Sequence, residues 1–185
     1  MAALIGSLTV VLTAVMALSS TAVAWNIPGH MLSGIIVYQI FRQENPKTID
    51  KVKAVLEKHP WYANQWQSRL QDVPVPDCDM VLFMQAARWP DDVRMMDKVQ
   101  NRPRWHYINF PFKPEGQPAS VQARDPDPVN ILTAMVENQR IAANENDPER
   151  MAIALAWVFH LVGDIHQPLH TVQLFTVDYP QGDRG

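Results

Sequence analysis

Apolar residues recur along this chain mainly at steps of three and four positions, the spacing typical of amphipathic helices. Residues 31–43 show this spacing first. Asn45 and Pro46 then supply a cap and a first-turn proline for a second helix that ends near Lys58. Alternating strand patterns are scarce, so the first part of the chain predicts helices joined by loops.

Prolines and short polar residues mark the connections between the predicted helices. Residues 72–79 contain two prolines and three aspartates and are interpreted as a loop. Short helices are predicted on either side of this loop, over 61–70 and 80–88. Residues 111–130 contain five prolines and predict an extended surface loop.

Two further helices are predicted near the end of the chain. Asn130 can cap a helix over 131–143, and Asp147 followed by Pro148 opens a strongly hydrophobic helix over about 148–166. Residues 176–185 are polar and contain glycine and proline. We therefore expect an all-α fold, a compact multi-helix bundle with long loops.

The first residues are predicted to be a secretory signal peptide, residues 1–24. Residues 2–18 carry no charge, and Ala22-Val23-Ala24 has the pattern of a cleavage site. An uncleaved membrane anchor is the alternative, because the apolar run is close to the shortest spanning length. Cleavage would make Trp25 the first residue of a single mature domain, residues 25–185, in a secreted or periplasmic protein.

Charge and cysteine content narrow the range of functions. The formal net charge is −3, so no overall positive field favours nucleic acid. Any such binding must depend on a local site that metal ions or a few arginines make positive. Cys78 is the single cysteine, so an exported form would rely on core packing or on metal instead of an intrachain disulfide.

The richest candidate chemistry lies in the stretch FHLVGDIHQPLHT, from Phe159 to Thr171. His160 and Asp164 are four residues apart on a predicted helix and so project from one face. His170 follows Pro168, where the helix is expected to bend or end. These three side chains could converge on one or two zinc ions. The alternative is a hydrogen-bonded His–Asp pair in the core.

Three shorter segments add candidate ligands, each weak when taken alone. Asp91 is expected to follow a turn at Trp89-Pro90, with Arg94 three residues later, and Asp91 could equally cap a helix. His106 lies between aromatic residues and could be an ordinary core or surface histidine. His30 follows five residues after the predicted mature N-terminus at Trp25.

The four segments together resemble the S1/P1 nuclease family, zinc-dependent enzymes that share a fold with the bacterial zinc phospholipases C. The matching stretches, which occur in order along essentially the whole mature chain, are Trp25 with Gly29-His30, Trp89-Pro90-Asp91-Asp92-Val93-Arg94, His106-Tyr107-Ile108-Asn109, and His160-x-x-Gly163-Asp164-x-His166-Gln167-Pro168-Leu169-His170. The resemblance implies helices around a metal cleft. It also implies a monomeric exported enzyme that hydrolyses single-stranded DNA or RNA, with no obligate protein partner and no membrane attachment after cleavage.

The resemblance also implies a set of metal ligands. The amine and carbonyl oxygen of Trp25 would bind one zinc ion together with His30. Asp164 would bridge this ion to a second zinc ion, whose other implied ligands are Asp91, His106 and His160. His170 would belong to a third zinc ion, and Arg94 would contact the scissile phosphate, although a surface salt bridge is an equally plausible role for it.

Two positions depart from the family pattern. The third zinc ion is expected to take another histidine and an aspartate from a later segment, so the sequence resembles a C-terminally incomplete member. Asn109 stands where nucleases of the family often carry aspartate, and an asparagine can orient a ligand or substrate but cannot act as a base. An inactive zinc-binding protein is therefore one alternative. A zinc phospholipase C is the other, because those enzymes use nearly the same set of metal ligands. His59 and His166 are interpreted as structural, and Cys78 has no assigned role.

The implied role of Trp25 gives a prediction about the N-terminus. Protein expressed with Trp25 as its first residue should bind about one zinc ion more than protein with one additional preceding residue, because the extension displaces the amine and its chelating carbonyl. Metal analysis of the two forms measures the difference. Equal zinc content would contradict the role of Trp25.

Overall fold

The computed structural model describes residues 26–183. The predicted signal peptide and Trp25 lie outside these residues, so the structure says nothing about either. Helices dominate the described part, and the all-α prediction is confirmed. The helices are α1 (Ile27–Glu44), α2 (Lys47–Leu56), α3 (Gln67–Leu70), α4 (Cys78–Met96), α5 (Ile131–Asn144) and α6 (Pro148–Ile165), and the strands are β1 (Phe110–Phe112) and β2 (Val172–Leu174).

Short helical turns of other types connect these elements. A π-helix at Tyr62–Trp66 precedes α3, and 3-10 turns lie at Val75–Asp77, Pro103–His106 and Pro168–His170. Helix α4 begins at Cys78, which lies inside the predicted loop over 72–79. No helix in residues 26–183 is both long enough and apolar enough to cross a membrane.

Side-chain caps fix the starts of the three helices that matter most for the site. The Asn26 side chain accepts a hydrogen bond from the Gly29 amide, so α1 starts at Ile27 and not at the predicted residue 31. Asn130 and Thr133 form a reciprocal capping box at the start of α5. Asp147 caps α6 as the sequence predicts. Helix α1 thereby carries His30 within its first turn.

The expected turn at Trp89-Pro90 is wrong, because α4 continues through both residues to Met96. A proline inside a helix removes one backbone hydrogen bond and costs roughly 3 kcal/mol. Trp89 and Pro90 are both buried, so packing on the rest of the core offsets this cost. Asp91 consequently lies on a continuous helix, and its direction is set by α4.

A two-stranded parallel sheet joins two segments that are far apart in sequence. Phe110 pairs with Val172, and Phe112 pairs with Leu174, so the first residues of the predicted loop over 111–130 are a strand. Just before the sheet, the Ile108 amide donates to the His170 carbonyl at 2.9 Å. This pairing holds the segment after His106 beside the segment after His170.

The core lies where α1, α4 and α6 pack together. Gly34 marks the closest approach of α1 and α4, because a Cβ atom at this position would lie 2.8 Å from the Phe83 carbonyl oxygen. Trp66, Trp89 and Trp157 are its largest fully buried side chains. Large apolar side chains therefore fix the distances between the helices that carry the candidate ligands.

His59 lies in this core, as its interpretation as a structural residue requires. Its ring stacks on Trp66 with centroids 4.3 Å apart and meets the edge of Trp89 at 4.5 Å. The amide of Trp61 donates to His59 Nδ1 at 3.1 Å. Burial lowers the pKa of His59 to about 3, so this imidazole is neutral at physiological pH.

The pKa of His59 predicts a loss of stability in mild acid. Between pH 7 and pH 5 the unfolded chain takes up a proton at His59 and the folded chain does not. Lowering the pH over this range should therefore reduce the free energy of unfolding, by about 2 kcal/mol from this group. His59→Asn keeps an acceptor for the Trp61 amide and should remove that part of the pH dependence.

Urea unfolding at several pH values, with a chelator present, measures this effect. His166→Asn is the matched control because His166 is exposed. If His59→Asn and the parent protein lose stability in parallel between pH 7 and pH 5, the assigned burial effect is wrong.

Candidate metal centre

Six of the sequence-predicted side chains converge at one place, although they come from separate parts of the chain. They are His30 from α1, Asp91 from α4, His106 from the Pro103–His106 turn, His160 and Asp164 from α6, and His170 from the Pro168–His170 turn. Four of them are buried, and the exceptions are Asp91 and His170.

The carboxylate of Asp164 is at the centre of this cluster. Its Oδ2 atom lies 3.0 Å from His106 Nδ1 and 3.0 Å from His160 Nε2. Its Oδ1 atom lies 3.3 Å from His30 Nε2 and 3.6 Å from His170 Nε2. Each oxygen thus faces a different pair of imidazoles, which is the arrangement that a bridging carboxylate requires.

Asp91 adds a second carboxylate on one side of the cluster. Its Oδ2 atom lies 3.5 Å from His30 Nε2, and its Oδ1 atom lies 4.0 Å from His160 Nε2. The rings of His30 and His160 stack with centroids 3.7 Å apart. Two groups of ligand atoms result, one from His30, Asp91 and His160, and one from His106, His160 and Asp164.

The distances between the ligand atoms suit a small metal ion. His106 Nδ1, His160 Nε2 and Asp164 Oδ2 form a triangle with sides of 2.9 to 3.0 Å. Tetrahedral zinc with ligands at about 2.0–2.1 Å separates those ligands by about 3.3 Å. Imidazole and carboxylate are also ligands that zinc accepts. The residues therefore fit a metal site.

The hydrogen bond on the far side of His160 determines which ring nitrogen faces the cluster as a ligand. His160 Nδ1 lies 2.9 Å from the Ala87 carbonyl oxygen, which can only accept, so Nδ1 carries a proton. Nε2 of the neutral ring then presents a lone pair to Asp164 Oδ2, which is also an acceptor. A metal ion between these two atoms and His106 Nδ1 would satisfy the lone pairs of all three at once.

The charge of Asp164 strengthens the case for a cation. Burial by itself would raise the pKa of the Asp164 carboxyl group, but its contacts with the rings of His106, His160 and His30 lower it far below its usual range. Burial lowers the pKa of His106 to about 4 and also lowers the pKa of His170. His106 and His170 are thus uncharged near pH 7 and do not balance the buried carboxylate.

Arg94 and Asn109 lie at the edge of this arrangement. The Arg94 guanidinium is 48% exposed and lies 3.0 Å from Asp91 Oδ1, so it forms the salt bridge that the sequence left open as one of its roles. Asn109 adopts a left-handed conformation with φ of 59°. Its Oδ1 atom is buried without a hydrogen-bond partner among the described residues.

Two supporting residues were missed by the sequence reasoning. Ala87 orients His160 through its backbone carbonyl, which no side-chain pattern could indicate. Trp157 is 1% exposed and packs edge to face against His106 at 5.4 Å and His160 at 6.1 Å. Its position three residues before His160 on a helix was a usable signal, because such residues share a face.

A comparison with protein families agrees with this geometry. A family model described as S1/P1 nuclease matches residues 25–185. The chain belongs to the S1/P1 nuclease family. No curated protein and no solved structure gives a significant match.

Membership of the S1/P1 nuclease family implies a nuclease, and therefore a hydrolase. The family and the buried His and Asp groups together support a metal-binding site. The assignment of individual residues as ligands or catalytic groups stays a prediction, which variants of the shared carboxylate can test.

Asp164→Asn should weaken zinc binding by at least about 10²-fold, because the substitution removes the charge and one anionic oxygen from the residue that faces both groups. The thermal midpoint measured with zinc should fall as well, since binding and folding are linked. Calorimetric titration with zinc and metal analysis measure the change.

Asp92→Asn provides the matched control. Asp92 is the next residue to Asp91 and is similarly buried, but it pairs with Arg88 through two hydrogen bonds of 2.7 and 2.9 Å. This variant should lose stability and keep its zinc. Equal zinc affinity in Asp164→Asn and the parent protein would refute the central position of Asp164.

Proposed function

We propose that this protein is an exported, zinc-dependent endonuclease that hydrolyses phosphodiester bonds in single-stranded DNA or RNA. The observation that carries the proposal is the opposition of two acceptor atoms, His160 Nε2 and Asp164 Oδ2, at 3.0 Å inside a buried His/Asp cluster. Family membership supports the nuclease reaction. The export, the metal and the strand preference are the proposal's own additions.

The proposed ligands divide around Asp164. His30 would hold one zinc ion together with the amine and carbonyl oxygen of Trp25. Asp91, His106 and His160 would hold a second ion, and Asp164 would contact both. His170 would contribute to a third ion, as the family resemblance implies for the complete protein. Bound zinc supplies Lewis acidity and hydroxide near neutral pH.

The protein's own residues contribute orientation and charge. The Ala87 carbonyl holds the His160 ring, so its Nε2 atom keeps facing the cluster. Arg94 lies at the solvent side of Asp91 and can direct a second pair of N–H groups at phosphate oxygens. Asn109 can orient a substrate group through its amide, and it cannot remove a proton from water.

A zinc phospholipase C is the second candidate enzyme, because it uses nearly the same set of ligands. The separation of five residues between Trp25 and His30, and the Trp89–Arg94 motif, favour the nuclease. The third candidate is an inactive zinc-binding protein. We infer a monomer with no obligate protein partner, secreted or periplasmic after removal of the leader.

Hydrolysis assays distinguish these candidates. With zinc present, the protein should cleave single-stranded DNA faster than double-stranded DNA and should leave a phosphatidylcholine substrate intact. Arg94→Gln should lower kcat/KM on single-stranded DNA by about 10²-fold, because one preorganised donor to the phosphate is lost.

Arg140→Gln is the control for Arg94→Gln, since Arg140 is an exposed arginine paired with Glu137 on α5. Zinc content should remain the same in both variants. Cleavage of the lipid alone would replace the nuclease with the phospholipase. Zinc binding without any hydrolysis would favour the inactive protein.

A further inference from the structure

We propose that a depression between the Gln100–Trp105 segment and helices α5 and α6 binds one nucleotide, which is an aromatic base carrying a phosphate. The depression has a volume of about 210 Å³. Pockets for drug-sized ligands are larger, roughly 300–1,000 Å³. The depression therefore encloses one flat group of a ligand and leaves the rest at its rim.

The charge of the depression selects an anion. Arg102 and Arg150 line it, and no carboxylate does so among the described residues. Arg150 is 60% exposed and pairs with Glu145 at 2.9 Å, outside the lining. A guanidinium group offers five N–H donors in a fork, so Arg150 can contact a phosphate at the rim while keeping this pair.

An arginine held beside an aromatic ring favours an aromatic group of the ligand. The Arg102 guanidinium carbon lies 5.6 Å from the ring centroid of Trp105. The Arg102 side chain also donates to the backbone carbonyls of Val99 and Asn101, which holds it in place. A base can stack on such a fixed guanidinium plane, as bases do in many single-stranded nucleic acid complexes.

The lining of the depression also includes apolar side chains and a buried amide. Ile141, Ile153 and Trp157 supply the apolar part. The Asn138 side chain is 2% exposed and donates through Nδ2 to the Ala134 carbonyl at 2.8 Å, which fixes its amide. A fixed amide beside apolar side chains suits the edge of a base, which carries both donors and acceptors.

The depression is separate from the metal centre but close to it. The indole of Trp157 lines the depression, and it also packs against His106 and His160. One aromatic ring thus separates the two sites. The choice of a nucleotide as the ligand rests on the proposed nuclease function, whereas the cationic and planar character of the depression does not.

Calorimetric titration of the zinc-loaded protein with adenosine 5′-monophosphate tests the proposal, because it counts sites. Arg150→Gln should weaken one site about tenfold, through loss of a charged hydrogen bond to the phosphate. Arg102→Gln should weaken the same site by about the same factor, through loss of the guanidinium group on which the base stacks. The double variant should bind one nucleotide fewer than the parent protein. Arg150→Gln does not endanger the fold, since this side chain is exposed.

Two further titrations identify which parts of the ligand the site binds. Adenosine, which has no phosphate, should bind at least about tenfold more weakly than the monophosphate. A short single strand with phosphorothioate linkages, which resist hydrolysis, shows whether the site takes a nucleotide within a strand. If the double variant loses affinity for the strand, the site takes a nucleotide within a strand. If it loses affinity for the monophosphate alone, the site takes a free nucleotide.

Arg140→Gln is again the control and should titrate like the parent protein. Identical titrations of the parent and the double variant, or equal affinity for adenosine and its monophosphate, would overturn the proposal. Arg94→Gln should leave this site intact. If the protein binds the nucleotide here but hydrolyses no nucleic acid, the proposed nuclease function is wrong and the proposed nucleotide site still stands.

Discussion

The charge on Asp164 is the constraint on which the rest of the site depends. A carboxylate that is 1% exposed is costly unless hydrogen bonds and a cation compensate it. Four histidines surround this group. Because His106 and His170 are neutral, their contacts with it do not cancel its negative charge. The cluster is therefore more readily understood as a holder for cations than as a hydrogen-bonded core, the alternative that the sequence left open.

The positions of the ligands follow from how the helices are fixed to one another. Gly34 allows α1 to approach α4 closely, and this brings the first turn of α1 with His30 towards Asp91. The hydrogen bond from Ile108 to the His170 carbonyl holds two loops on the other side of α6. Large buried aromatic side chains then keep these distances. The main role of the short sheet is to hold the loops that carry His106 and His170 beside each other.

Helical periodicity was enough to predict the fold class and the placement of His160 and Asp164 on one face, and capping residues were enough to predict the starts of α5 and α6. It failed at Pro90, where burial of Trp89 outweighs the local cost of proline. It also missed β1 and β2, because each strand has three residues and is stabilised by a partner about sixty positions away. Contacts between distant segments leave no local pattern, so the Ala87 carbonyl could not be placed from the sequence. Trp157 could have been placed, because it lies three residues before His160 on the same helix.

Drawing the candidate ligands from five separate elements has a consequence for stability. The sequence contains a single cysteine, so no disulfide can join these elements to one another. A cation held between α1, α4, α6 and two turns would connect all of them at once, and its binding energy would act as folding energy. The same cluster would thereby couple the chemistry of the site to the stability of the bundle.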